Sequence, residues 1–137
     1  MADAVTTQTI SDGGKTAIIK LTNISDGSGE ASVKKIDVST LAKNSQGVDC
    51  SGVSITQVWY DIGGMRVLID FAASTNVAAL VLGGSAAAGN VHGHMDFRSF
   101  GGIKNNASSP TGDIDFTTSG HTNLDHYTVI LEMRKQY

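Results

Sequence analysis

Residues that crowd a helix but fit a pleated strand dominate this chain. It carries 11 Val, 11 Ile and 13 Thr against only two Glu, Glu30 and Glu132, in 137 residues. Branching at Cβ restricts side-chain rotamers in a helix and packs well on a sheet, while straight-chain helix formers are scarce. Sixteen Gly and a single Pro, Pro110, with many Ser and Asn, supply frequent turns. Short strands separated by turn residues read as one all-β domain, a two-sheet β-sandwich of jelly-roll-like or Ig-like type. The expected division is a polar N-terminal arm over residues 1–14 and the sandwich over 15–137.

Residues 1–14 are polar and Thr-rich, and end in Asp12-Gly13-Gly14; they read as an arm or a weak first strand. Lys15 to Ile24 is a buried strand, and Glu30 to Val38 is expected to pair with it as a hairpin across the turn residues 25–29. Ser39 or Thr40 caps one helical turn reaching Lys43, and a polar loop holding Cys50 follows. Met65, Val67, Ile69 and Phe71 alternate with Arg66, Leu68, Asp70 and Ala72, the period of a half-buried strand. Gly63-Gly64 between that run and Val53 to Ile62 predicts a tight hairpin. Val77 to Leu82 fits a buried strand or a short helix, and residues 83–89 form a small-residue loop. Asp113 to Thr118 alternates, and Leu124 to Lys135 places Tyr127, Val129, Leu131 and Met133 on one face. Trp59 and Tyr60 point to opposite faces of their strand. The expected core joins Trp59 and Met65 to Phe71 with Tyr127, Val129 and Leu131.

Ten Lys and Arg against thirteen Asp and Glu give a net charge of -3, with the cations scattered. A nucleic-acid-coating surface needs them clustered. No apolar run approaches the ~20 residues of a membrane helix, and no charged-then-apolar leader opens the sequence. One cysteine forms no intrachain disulfide, which fits synthesis in a reducing compartment. Neither nucleic acid nor membrane is an expected partner.

Candidate chemistry is thin. His92, His94 and Asp96 share one face of a strand at i, i+2, i+4, so zinc ligation is geometrically conceivable, but no fourth ligand accompanies them. Ser85 lacks the glycine spacing of a nucleophile elbow, and Cys50 has no activating neighbour in sequence. Asp113 and Asp115 lie on a polar strand face and read as solvated. The glycine pairs never spell a phosphate-binding loop. No catalytic, cofactor or metal site is expected. Aromatics beside an arginine, as in Asp96 to Gly102, are instead the composition of a protein interface. Val5, Trp59, Arg98 and Phe100 are the candidate partner contacts.

Three segments then carry a resemblance: 58–71 (VWYDIGGMRVLIDF), 95–105 (MDFRSFGGIKN), and 111–120 (TGDIDFTTSG) with 127–135 (YTVILEMRK). Together they resemble the small virion structural proteins of tailed bacteriophages and their cyanophage relatives, from about Lys15 to the C-terminus. The resemblance implies a non-enzymatic decoration (cement) protein, made in the host bacterial cytoplasm and bound to the outer capsid surface. It also implies a homotrimer clamping the major capsid protein. A head–tail connector or tail protein falls within the same resemblance. On the residues alone, a β-sandwich module binding carbohydrate or another small ligand at Trp59 and Tyr60 is the competing class.

Overall fold

The computed structural model describes residues 3–83 and 90–137. Among them the β-branched excess forms nine strands, β1 (Ala4–Asp12), β2 (Thr16–Asp26), β3 (Val33–Ile36), β4 (Gly52–Gly63), β5 (Arg66–Ala73), β6 (Val77–Gly83), β7 (Asn90–Asp96), β8 (Pro110–Ser119) and β9 (Asn123–Gln136). They build two antiparallel sheets, β1-β2-β9-β4-β7 and β3-β8-β5-β6. The architecture is a single-domain β-sandwich, as the residue pattern predicts.

Alternation decides which side chains meet between the sheets. From the first sheet come Ile19, Leu21, Ile55, Val58, Ile62, Tyr127, Val129, Leu131 and Met133; from the second come Val67, Ile69, Phe71, Ile114 and Phe116. Phe116 and Tyr127 meet across the interface with ring centroids 5.7 Å apart and planes tilted by 54°, a favoured aromatic geometry. Trp59 is not among these residues. A bulge between Ile55 and Gln57 resets the alternation of β4, so Val58 and Ile62 face inward and Trp59 faces out.

Local pattern found most strands but misassigned two pairings. Glu30 to Val38 does not form a hairpin with β2, whose flanks are occupied by β1 and β9; β3 pairs with β8 in the other sheet. Gly63-Gly64 is likewise no hairpin. β4 lies between β9 and β7 while β5 lies between β8 and β6, so the two glycines carry the chain from one sheet to the other. Gly64 has φ +80°, and a Cβ there would collide with the Asp125 carboxylate. The helical turn expected after β3 is a 3-10 turn at Val38–Thr40, capped not by Ser39 or Thr40 but by Asp37, whose side chain accepts from the Ser39 amide at 3.0 Å. Val77 to Leu82 is a strand, though at a sheet edge with only Leu82 buried. The predicted small-residue loop lies, over 84–89, outside the described residues.

Of the two readings of the first residues, the strand is the one adopted. β1 is polar and runs along the outside of β2 with Ala4 to Ser11 exposed.

Candidate functional site

Because β1 buries almost nothing, its place depends on its ends. At the first end, Asp3 accepts from the Asp26 amide at 3.1 Å, the Gly29 amide at 3.3 Å and Asn23 Nδ2 at 3.1 Å. Burial opposes its charge, but these donors outweigh burial and hold Asp3 down at about 2. Asn23 also donates to Glu30 at 2.8 Å, and the Tyr127 hydroxyl donates to the same carboxylate at 2.6 Å. Lys35 pairs with Glu30, both side chains being nearly inaccessible. Burial first, and then the Glu30 carboxylate, push the Tyr127 hydroxyl far above the usual phenol range. At the other end, Asp12 pairs with the wholly buried ammonium of Lys135, which also donates to the carbonyls of Gly13 at 2.6 Å and Ala42 at 3.1 Å. Asp12 in turn accepts from the Ala42 amide at 2.9 Å. A Lys buried at such a position needs every donor satisfied, and here all three are.

The second candidate surface is the outer face of the five-stranded sheet. Cross-strand register sets Lys20, Ile130, Trp59 and His94 side by side in one row, and Thr22, Thr128, Asp61 and His92 in the next. The Trp59 and His94 rings are stacked with centroids 4.9 Å apart and planes 4° from parallel. Thr56 and Gln57 both donate to Glu132, at 2.9 and 2.7 Å. Since the Gln57 amide nitrogen is committed to that carboxylate, its oxygen faces His94 Nε2 at 2.8 Å. His94 therefore donates from Nε2 in this arrangement. Around the stacked pair lies an open hollow of roughly 410 Å3, lined by Trp59, Asp61, His92, His94, Thr128 and Ile130 among others.

The four predicted contact residues do not converge. Val5 sits on β1 and Trp59 on β4, three strand spacings or about 14 Å apart. Arg98 and Phe100 share a 3-10 turn after β7. Arg98 grips Asp96 with Nε and a terminal nitrogen, at 3.0 and 2.7 Å, and holds Asp96 at about 2. Its charge is thus already matched. Phe100 is 62% exposed beside the half-buried Phe97, at a centroid distance of 6.0 Å. The Gly101-Gly102 turn then returns the chain to β4, where Ile55 and Ile103 exchange hydrogen bonds of 3.0 and 2.7 Å.

The remaining candidates are engaged in structure. His92, His94 and Asp96 do share the outer face of β7, yet among the described residues no three His, Cys, Asp or Glu are placed to hold a metal. Cys50 is buried and its thiol donates to the Gly52 carbonyl at 3.2 Å. Asp113 is not solvated: it accepts from the Val38 amide at 3.0 Å and pairs with Lys34 at 3.2 Å. Asp115 instead faces Asp70 across β8 and β5. Burial raises Asp70 above the usual carboxylate range and Asp115 adds to the effect, while a hydrogen bond from Asn76 counters it.

No protein-family model matches the chain, and no curated protein matches it significantly in sequence. Among solved structures, a mutant of the module CBM29-2, made to probe ligand recognition by family 29 carbohydrate-binding modules, aligns at 12% identity. It covers 96% of this chain and 92% of that one, with a TM-score of 0.33. A second family 29 carbohydrate-binding module aligns at 12% identity over 96% and 89% of the two chains, again at 0.33. A likeness at that TM-score carries no argument about ligand or function.

Proposed function

We propose that this chain is a non-enzymatic structural protein of a phage virion that binds the outer capsid surface and stabilises it, acting as a homo-oligomer with the major capsid protein as partner. The observation that carries the reading is β1, nine residues with both faces open and the outer edge unpaired among the described residues. An extended edge of this kind offers main-chain hydrogen bonds to a partner without requiring apolar side chains. The residues of the phage virion resemblance fall mainly on β4, β5, β8 and β9, whereas β1 pairs with β2 alone among the described residues. Host cytoplasm is the site of synthesis and the capsid surface the destination in this reading; a connector or tail position uses the same edge on a different partner. The test is co-sedimentation with undecorated capsids, comparing the native chain with Thr7→Lys, which puts a charge in the middle of the exposed edge. Native protein is expected in the pellet and the variant in the supernatant.

The Trp59 hollow favours a second reading, a module that binds a small ligand such as a carbohydrate, because an indole ringed by Asp61, His92 and Thr128 combines an apolar face with hydrogen-bonding groups. Trp59 is the only tryptophan, so its fluorescence reports this site alone. A saturable change on titration with soluble oligosaccharides supports the second reading, and an unchanged spectrum removes it.

A further inference from the structure

The chain is acidic, with ten Lys and Arg against thirteen Asp and Glu, and half of its cations already lie against a carboxylate, among them Lys34, Lys35, Lys43 and Lys135. Three others of the ten gather differently. Thr16, Glu132 and Arg134 alternate with the buried Ala17, Leu131 and Met133, so they stand on the outer face of the five-stranded sheet. There Lys15, Arg98 and Arg134 line one open hollow of roughly 350 Å3. Lys15 precedes β2, Arg134 lies on β9 opposite Thr16, and Arg98 comes from the 3-10 turn after β7. All three are exposed. Among the described residues, neither Lys15 nor Arg134 has a carboxylate within ion-pair distance.

Two acids belong to the same place, Glu132 in the lining and Asp96 against Arg98. Asp96 takes Nε and one terminal nitrogen of Arg98. That fixes the guanidinium and leaves its other terminal nitrogen without a partner among the described residues, a donor held in place before any ligand arrives. Glu132 accepts from Thr56 and Gln57 through one oxygen, Oε2. Three cations against two carboxylates leave one positive charge unmatched. We propose that this hollow binds a single carboxylate group. A carboxylate accepts charge-assisted hydrogen bonds from Arg and Lys, and its one negative charge equals the charge left over. A phosphate group would bring roughly −1.5 to −2 charges up to Glu132, and a nucleic-acid strand would meet the chain's net charge of -3. The carboxylate comes from a small organic acid or from an Asp or Glu side chain of a protein partner. The site stands on these side chains, so a failure to bind capsids leaves it untouched.

Amide chemical shifts of the full chain, followed by NMR at fixed ionic strength, test it. The probes are sodium acetate, sodium phosphate, and a capped, otherwise uncharged peptide carrying one Asp, with the Asn peptide as its control. Saturable shifts centred on Lys15, Thr56 and Gly101 are expected with acetate and with the Asp peptide, and none with the Asn peptide. An Asp peptide that binds more tightly than acetate points to a protein partner, and equal binding points to a small acid. Arg134→Gln and Lys15→Gln, both at exposed positions, are each expected to weaken binding about tenfold, the loss of one charge-assisted hydrogen bond, with the rest of the spectrum unchanged. The proposal is overturned if neither carboxylate gives a saturable shift, if binding survives both substitutions undiminished, or if phosphate binds the native chain more tightly than acetate.

Discussion

Asp3 and Asp12 do for β1 what apolar side chains do for the inner strands, and the energetics of the two ends differ. Lys135 has no exposed side-chain surface, so removing its carboxylate leaves a buried, uncompensated cation. Asp12→Asn is expected to cost about 3–5 kcal/mol in urea unfolding. Pairing it with Lys135→Met should restore much of that loss, since the stranded charge is then gone. At the other end, Asp3 falls from its ordinary 3.8 to about 2. A depressed carboxyl favours the folded state only while ionised, so its contribution is complete above about pH 4 and is lost as pH falls toward 2. Acid titration followed at the β1 amides should show loosening in that window, and Asp3→Asn should flatten the response. Part of this was legible in sequence. The apolar series Tyr127, Val129, Leu131, Met133 runs on at period two to Lys135, which marks an inward-facing cation in need of an acid. Its partner Asp12 lies over 120 positions away, and no local pattern identifies it.

At the scale of elements, period two located the strands because each has one face on the core. It could not assign them to sheets, because a strand entering either sheet shows the same alternation. Gly63-Gly64 illustrates the failure: two alternating runs joined by two glycines describe a hairpin and a crossing between sheets equally well. Trp59 illustrates another. The Ile55–Gln57 bulge inserts one residue and reverses the faces beyond it, which only the pairing with β9 reveals. Of the predicted core, Met65, Val67, Ile69, Phe71, Tyr127, Val129 and Leu131 are buried, whereas Arg66 is exposed and Leu68, like Trp59, is only partly buried and outside the core cluster. Ile69 and Leu131 are both fully buried, so truncating either to Ala is expected to cost roughly 2–5 kcal/mol in denaturant unfolding. A cost below ~0.5 kcal/mol, the size of a surface effect, would mean that the face is misassigned.

For the whole molecule, the functional surfaces were the hardest feature to read, because they are defined by what the fold leaves unpaired. Nothing in the composition of residues 4–12 says that they finish a sheet with an open edge, and the pairing of Trp59 with His94 depends on residues 35 positions apart meeting in register. The same geometry decides how the capsid reading should be tested. Removing residues 1–12 would strip Lys135 of Asp12 and confound binding with stability, whereas Thr7→Lys alters an exposed position and leaves both anchors in place. The most direct measurement of the capsid reading is co-sedimentation of the 137-residue chain with undecorated phage capsids, followed by thermal melting of the particles. Saturable binding of a fixed number of copies per capsid, with melting raised and both effects lost in Thr7→Lys, is the predicted result. Native chain that remains in the supernatant at every concentration and leaves capsid melting unchanged would contradict it.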